Sequence, residues 1–414
     1  MKKLMSGLSV LGLLLLTSCR ANDSSKIELT LSGWQSTPNE GKLLNELIQK
    51  FEAIHPNIDV KFEVINSQYP DVIRMRLIGN VAPDVFYLDA YEAPLLMKSG
   101  VLEPLNPYIT PGFKLNDFEP TLLNAFKQNE TIYGIPKDFS TLALFYNKTA
   151  FQQAGLTQPP KTWDELRQHA EKLTVDNNND GKIDQYGMGI LPELPRQVFM
   201  MKAFGGKLVD QNNYAAFATP DSLRGLQLVI DQYRRDRSAA QPSDVGASSN
   251  SEAFGQGKVA MAIEGAWAVP FLKETFPKTQ FATAETPTIN GRPGTMAYTV
   301  GYVMNRQSKH KDAAWKLIEF LTNENGMKLW ANQGNALPSR QSVLKELQYD
   351  RNPTYAPLVA GAKYATIWQA GETLPKIFTN FDNQFISAML GQQSLPDAMK
   401  RAQETSNREI YLSN

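Results

Sequence analysis

The sequence predicts an α/β protein of two domains, and three observations carry that expectation. The chain has 414 residues, more than a single domain usually holds. Between residues 27 and 89, segments of period-two hydrophobicity alternate with helical periodicity, as parallel strands joined by crossover helices require. Further on, Phe254-Gly-Gln-Gly-Lys-Val-Ala-Met-Ala-Ile-Glu-Gly-Ala-Trp267 runs from a short helix, broken at Gly255 and Gly257, into a buried strand. That strand delivers Glu264, Gly265 and Trp267 to its carboxyl end, the edge where open α/β sheets keep ligands. A carboxylate, a glycine admitting close backbone approach and a flat indole with one N–H suit a polyhydroxy ligand. An ordinary helix–strand turn with a core tryptophan is the rival reading.

The N-terminus is a targeting segment. Lys2 and Lys3 precede an apolar run at 8–16, too short for the roughly 20 residues of a membrane span. Leu16-Thr-Ser-Cys19 follows and is similar to the lipobox that precedes bacterial lipoprotein cleavage. Residues 1–18 therefore read as a lipoprotein signal peptide, Cys19 as the lipid-bearing first residue, and 19–26 as a flexible leash. Cys19 is the only cysteine, and lipidation removes the oddity of a free thiol in an exported protein.

Ile27, Leu29 and Leu31 alternate with polar residues and form a strand ending at Gly33-Trp34-Gln35. Leu43, Leu44, Leu47, Ile48, Phe51 and Ile54 share one face of a helix from about Asn39, stopped by His55-Pro56. Ile58, Val60, Phe62 and Val64 make a second strand, 71–79 a short helix, and 82–89 a third strand ending on Asp89. The first domain is therefore doubly wound. Trp34 and Gln35, and Asp89 and Tyr91, fall at strand carboxyl ends, where a crevice forms. A half-buried surface indole is the alternative for Trp34, and a helix N-cap ahead of Tyr91 the alternative for Asp89.

Residues 133–147 suit a strand, and Thr162-Trp-Asp-Glu165 is a capping box opening a helix to Leu173, with Trp163 in packing. Asp176, Asn178, Asp180 and Asp184, with Gly181, fit an EF-hand-type loop to which Lys182 adds a backbone carbonyl. The closing Glu of such a loop is replaced by Gly187. Two readings stand, a structural Ca²⁺ completed by a distant carboxylate or a polar turn. An amphipathic helix covers 221–236, a short helix 269–276, a turn-rich stretch with Asn290-Gly291 covers 281–293, and a strand 295–305. One long helix is expected over 311–332, with Leu329 on its core face and Trp315 and Trp330 in packing. From 355 onward the chain is helical apart from 371–375, and Trp368 before that break is an aromatic platform.

Lys and Arg total 42 and Asp and Glu total 42, so charge argues against nucleic acid or a polyanion as partner. The only histidines, His55, His169 and His310, are too scattered for a catalytic or metal cluster.

The Phe254–Trp267 stretch resembles the F-x-x-G-K-x-A-M-x-x-x-G-x-W signature of extracellular solute-binding proteins serving carbohydrate ABC importers. Ala314 to Leu321 is similar to that family's A-W-x-x-I-x-F-L helix, and Gly334 to Arg340 to its ending in P-x-R. The likeness runs from Ile27 to about Trp368. It implies a type II periplasmic-binding fold: two doubly wound α/β lobes, 27–136 plus 304–345 and 137–303 plus 346–414, hinged over a ligand cleft. It implies chain crossings at 133–147 and 295–305, and a site drawn from Trp34, Gln35, Asp89, Tyr91, Asp138, Ser140, Glu264, Gly265, Trp267, Gly301, Tyr302, Asn335, Arg340 and Trp368. Loop polarity is the rival for Asp138 and Ser140, and packing for Gly301 and Tyr302. The function implied is a monomeric, lipid-anchored binding protein with no catalytic residue and no required cofactor. It would face the periplasm or cell exterior, capture a disaccharide, oligosaccharide or glycoside osmolyte, and deliver it to the ABC permease. Capture of glycerol 3-phosphate or another anionic solute is the second expectation, and an exported glycoside hydrolase the third.

Overall fold

The computed structural model describes residues 26–35, 37–332, 334 and 336–412. The residues read as signal peptide, Cys19, the expected leash as far as residue 25, and Asn335 lie outside them. Alternating leucines give β1 (Ile27–Gly33), which pairs in parallel with β2 (Ile58–Val64) on one side and β3 (Val85–Asp89) on the other. The helix Pro38–Ile54 joins β1 to β2; Thr37 Oγ1 accepts the Glu40 N–H at its start, and Leu43, Leu44, Leu47, Ile48 and Phe51 enter the core with Leu29 and Leu31.

Residues 133–147 form two strands, β4 (Gly134–Thr141) and β5 (Ala143–Asn147), parted at Leu142. The later strands, a two-residue hairpin at 127–132 aside, are β6 (Tyr186–Gly189), β7 (Ala239–Ala240), β8 (Val259–Glu264), β9 (Phe281–Ala284), β10 (Thr295–Met304) and β11 (Ala365–Ile367). One sheet runs β11-β10-β3-β1-β2 with β4 also on β10, and the other runs β9-β5-β8-β6-β7. Leu142 is thus where the chain leaves one sheet for the other, so 137–141 and 295–303, expected in the second lobe, stand on the first lobe's sheet. β10 begins beside Thr141 and β11 and then runs antiparallel to β3, with a register slip against β4 between Val300 and Gly301. One apolar core gathers Leu29, Phe51, Phe86 and Ile318; a second gathers Phe199, Met261 and Phe381.

Several expectations change. The long helix at 311–332 is two helices, Lys311–Thr322 and Glu324–Ala331. Asn323 adopts extended backbone between them and its Oδ1 accepts the Gly326 N–H at 2.8 Å, which caps the second helix. The kink turns Leu329 out to solvent, 40% exposed. β9 lies in the stretch read as turns and β11 in one read as helix; both are short and owe their form to a neighbouring strand. Gly255 closes the helix Asn250–Gly255 instead of breaking it, and a Cβ there would lie 2.2 Å from the Phe276 ring. The turn itself falls to Gly257, at φ +73°. Among the described residues no helix is long and apolar enough to cross a membrane.

Candidate functional site

Strand ends from both sheets meet around a cleft of about 370 Å³. β1 delivers Trp34 and, one turn on, Thr37 and Glu40; β3 delivers Asp89; β4 delivers Lys137, Asp138, Phe139 and Ser140. The segment after β8 brings Trp267 and Pro270, β10 brings Tyr298, Thr299 and Val300, and the helix Glu324–Ala331 brings Trp330. A larger depression of about 480 Å³ around His55, Lys316 and Glu319 lies on the first lobe alone. Of these two the cleft is the one walled from both sheets, so it is the candidate site.

Trp34 is half-buried, its indole braced edge-on by Tyr69 and Tyr87 at 5.1 and 5.3 Å between ring centres. Opposite it, Trp267 donates its Nε1–H to Glu264 Oε2 at 2.9 Å, and Tyr298 meets it edge-on at 5.7 Å. Glu264 also faces the Arg196 guanidinium at 3.5 Å, whose other N–H groups reach the Ile263 carbonyl at 2.8 Å. Glu264 therefore fixes the indole and does not line the cleft. Gly265 has the same purpose: a Cβ there would lie 2.3 Å from the Trp267 ring, so it yields space to the tryptophan.

On the first-lobe side, Asp138 Oδ2 accepts the Trp330 Nε1–H at 2.8 Å and pairs with the Lys137 ammonium. That ammonium stands 4.1 Å from the centre of the Trp330 ring, a cation–π distance. Ser140 lines the cleft, but its hydroxyl is used within the protein: it accepts the Ala266 N–H and donates to the Thr141 carbonyl, both at 2.8 Å. Asp89 both lines the cleft and takes the Tyr91 N–H at 3.2 Å, although the helix beyond starts only at Ala93. Burial pushes its carboxyl up to about 7; the Tyr91 N–H opposes this and the Glu92 and Asp138 carboxylates add to it.

The remaining predicted contacts are placed elsewhere. Gln35 does not line the cleft: its backbone N–H goes to Asn66 and its side chain lies against Gly41. Tyr91 packs on Trp368 and Phe378 at 5.9 and 6.1 Å, away from the cleft lining. Trp368 is 4% exposed in the second core, so it is no platform. Tyr302 is buried against Tyr87, and Gly301 leaves room for Phe126, whose ring a Cβ would approach to 3.0 Å. Arg340 is 1% exposed; it donates to the Thr322, Phe113 and Lys114 carbonyls and pairs with Asp117 at 3.3 Å. Its charge pins a loop of the first lobe instead of reaching ligand. Asn335 lies outside the described residues.

Thr37, Glu40, Lys137, Tyr298 and Trp330 line the cleft without having been foreseen. Following each strand end one helical turn further would have found Thr37 and Glu40. Trp330 packs in the first core as expected, 4% exposed, and from there also reaches the cleft lining. In the 176–184 loop the carboxylates serve their own backbone: Asp176 takes the Gly181 N–H, Asp180 that of Lys182 and Asp184 that of Asn177, each at 2.8 Å. Among the described residues no group of three or more His, Cys, Asp or Glu is placed to hold a metal.

The family described as bacterial extracellular solute-binding protein matches residues 34–328. A protein of Brucella abortus named as a binding protein is 26% identical over 391 residues, 91% of each chain. The multiple sugar-binding protein of Streptococcus mutans is 25% identical over 374 residues, 85% of each chain. An ABC substrate-binding protein of Listeria monocytogenes, solved in complex with cycloalternan, has a TM-score of 0.85 at 22% identity, covering 93% of this chain and 99% of that one. The fold is that of the type II periplasmic binding proteins, as the resemblance implied. With the family matched over most of its length, the chain belongs to the bacterial extracellular solute-binding proteins.

Proposed function

We propose that this protein captures a sugar between its lobes and delivers it to the membrane subunits of an ABC importer. One observation carries the reading: a single cleft is lined from one sheet by Trp34, Asp89, Lys137 and Asp138 and from the other side by Trp267. Indole faces cover the C–H faces of a pyranose, and carboxylates and ammonium pair its hydroxyls, which would otherwise cost about 1–3 kcal/mol each when buried. Because both lobes hold the ligand, it binds the closed arrangement better and shifts the population towards it. A micromolar Kd, about −8.2 kcal/mol, is within reach of a few such contacts after closure. Relatives named for sugars, and a neighbour solved with one, support the same class.

An anionic solute fits poorly. Among the described residues Lys137 is the cation lining the cleft, and Asp138 already pairs with it, while Asp89 and Glu40 add carboxylates. We propose that Cys19 carries the lipid that keeps the protein near its permease. The three aspartates of the 176–184 loop are not gathered for a metal in this structure, and we propose that calcium would draw together Asp176, Asn178, Asp180, the Lys182 carbonyl and Asp184. The loop's hard oxygen donors and the bend at Gly181, φ +83°, support this, and binding requires the carboxylates to be shared with their backbone partners.

A thermal-shift screen with neutral sugars, polyols and glycerol 3-phosphate tests the reading, because bound ligand raises Tm by mass action. A rise with a neutral sugar is expected. A rise with glycerol 3-phosphate alone, or cleavage of a glycoside on long incubation, would overturn it. The calcium proposal predicts a lower Tm on adding a chelator; an unchanged Tm would contradict it.

A further inference from the structure

Behind the Trp267 wall, the second lobe has a small pocket of about 40 Å³, bounded by β6, the end of β8 and the helices Leu194–Ala203, Pro220–Arg234 and Asn250–Gly255. Met188, Ile190, Phe199, Val229 and Ile263 make most of it apolar. Three of the residues lining it carry a buried polar atom, Trp163 Nε1, Gln197 Oε1 and Asn250 Oδ1. These residues are 5%, 2% and 2% exposed, and among the described residues none of the three atoms has a hydrogen-bond partner.

The amide orientations are set independently. Gln197 Nε2 donates to the Leu191 carbonyl at 2.9 Å, and Asn250 Nδ2 donates to the Gly189 carbonyl at 3.3 Å. Each oxygen is therefore left as the acceptor. Gly189 makes the space, since a Cβ there would lie 2.1 Å from Asn250 Oδ1.

We propose that this pocket is a hydration site whose occupant is an ordered water, accepting the Trp163 indole N–H and donating its two hydrogens to Gln197 and Asn250. The chemistry selects that ligand. A metal ion or ammonium cannot accept the indole proton, and a simple anion has no hydrogens for the two amide oxygens. Water does both and typically makes about three hydrogen bonds when buried. A single water needs roughly 10–15 Å³ of such space, so the volume suffices. Arg196 lines the same pocket and carries Glu264, so the site lies one side chain behind the support of Trp267.

NMR of the full chain with ¹⁵N-labelled tryptophan tests this. The Trp163 indole resonance, assigned by its loss in Trp163→Phe, should show a cross-peak to water with the sign of a long-lived bound molecule. Gln197→Leu should weaken that cross-peak severalfold while sugar affinity stays within about twofold, because Gln197 is not among the residues lining the cleft. If Trp163→Phe does not fold, the resonance displaced by Gln197→Leu supplies the assignment. An indole proton without a water cross-peak, or a cross-peak that Gln197→Leu leaves unchanged, would overturn the proposal.

Discussion

The two walls of the cleft are built on the same device and present it in opposite senses. Each has an indole N–H donated to a carboxylate that also faces a cation: Trp330, Asp138 and Lys137 on one side, Trp267, Glu264 and Arg196 on the other. In the first wall the acid and the ammonium themselves line the cleft. In the second they stand behind the ring, and the indole is what the ligand meets. The difference teaches that one polar triad can serve as a contact surface or as a brace, depending on which member the strand end turns outward. A sugar has both kinds of face, apolar C–H and polar hydroxyl, and this pair of walls matches them.

The largest break in that comparison comes from removing the exposed ring. Trp267→Ala is expected to weaken sugar binding by at least about 30-fold, the scale of a central aromatic anchor, in isothermal titration. Asp138→Asn ranks next. It leaves Lys137 without its carboxylate and exchanges a charged acceptor of a sugar hydroxyl for a weaker neutral one, so affinity should fall by about tenfold and Tm should fall too. Glu264→Gln keeps an acceptor for the indole but strips Arg196 of its partner. Stability should therefore suffer more than affinity, which drops by only about threefold. Equal affinity losses for Asp138→Asn and Glu264→Gln would erase the distinction between contact and brace.

A pH series sharpens it further. The Asp89 carboxyl sits at about 7 because burial opposes its charge, so the native state keeps a proton that the unfolded chain releases near pH 4. Its contribution to stability is therefore best below that pH, declines as pH rises to about 7, and levels off above. Asp382, pushed up to about 8 by burial, acts in the same sense from the second lobe. Asp89→Asn should remove its share of the slope in chemical denaturation between pH 4 and 7. A sugar hydroxyl donated to Asp89 favours the ionised form, so wild-type affinity should rise from pH 6 to 8 while that of Asp89→Asn stays flat. The smallest effect is expected from Tyr302→Phe and Trp368→Phe, within about twofold in Kd, since both rings pack in cores.

The sequence was most legible where period and position act locally. Alternating Leu29 and Leu31, the cap at Thr162 and the strand into Glu264 and Trp267 all took their expected forms. Trp34, Asp89 and Trp267 reached the cleft because strand carboxyl ends do so in this kind of sheet. What sequence missed depended on contacts distant along the chain. Arg340 carries the charge expected of a ligand contact, but the Phe113, Lys114 and Thr322 carbonyls and Asp117 claim it. Tyr302 and Trp368 have the ring chemistry of platforms, and only the three-dimensional packing assigns them to cores. Glu264 is the intermediate case. Its position was legible, but its partner, Arg196, comes from a helix far away in sequence.

The chain's six tryptophans allow the most direct test. Trp34 and Trp267, both half-buried, line the cleft with Trp330, which is buried in the first core but reaches the cleft, and Trp163, Trp315 and Trp368 are buried in the cores away from it. With fluorotryptophan incorporated, titration with a sugar that raises Tm should move the three cleft resonances strongly, from both walls together, and leave the three core resonances nearly still. Movement confined to the tryptophans of one lobe, or to the core set, would contradict a sugar held between the two walls.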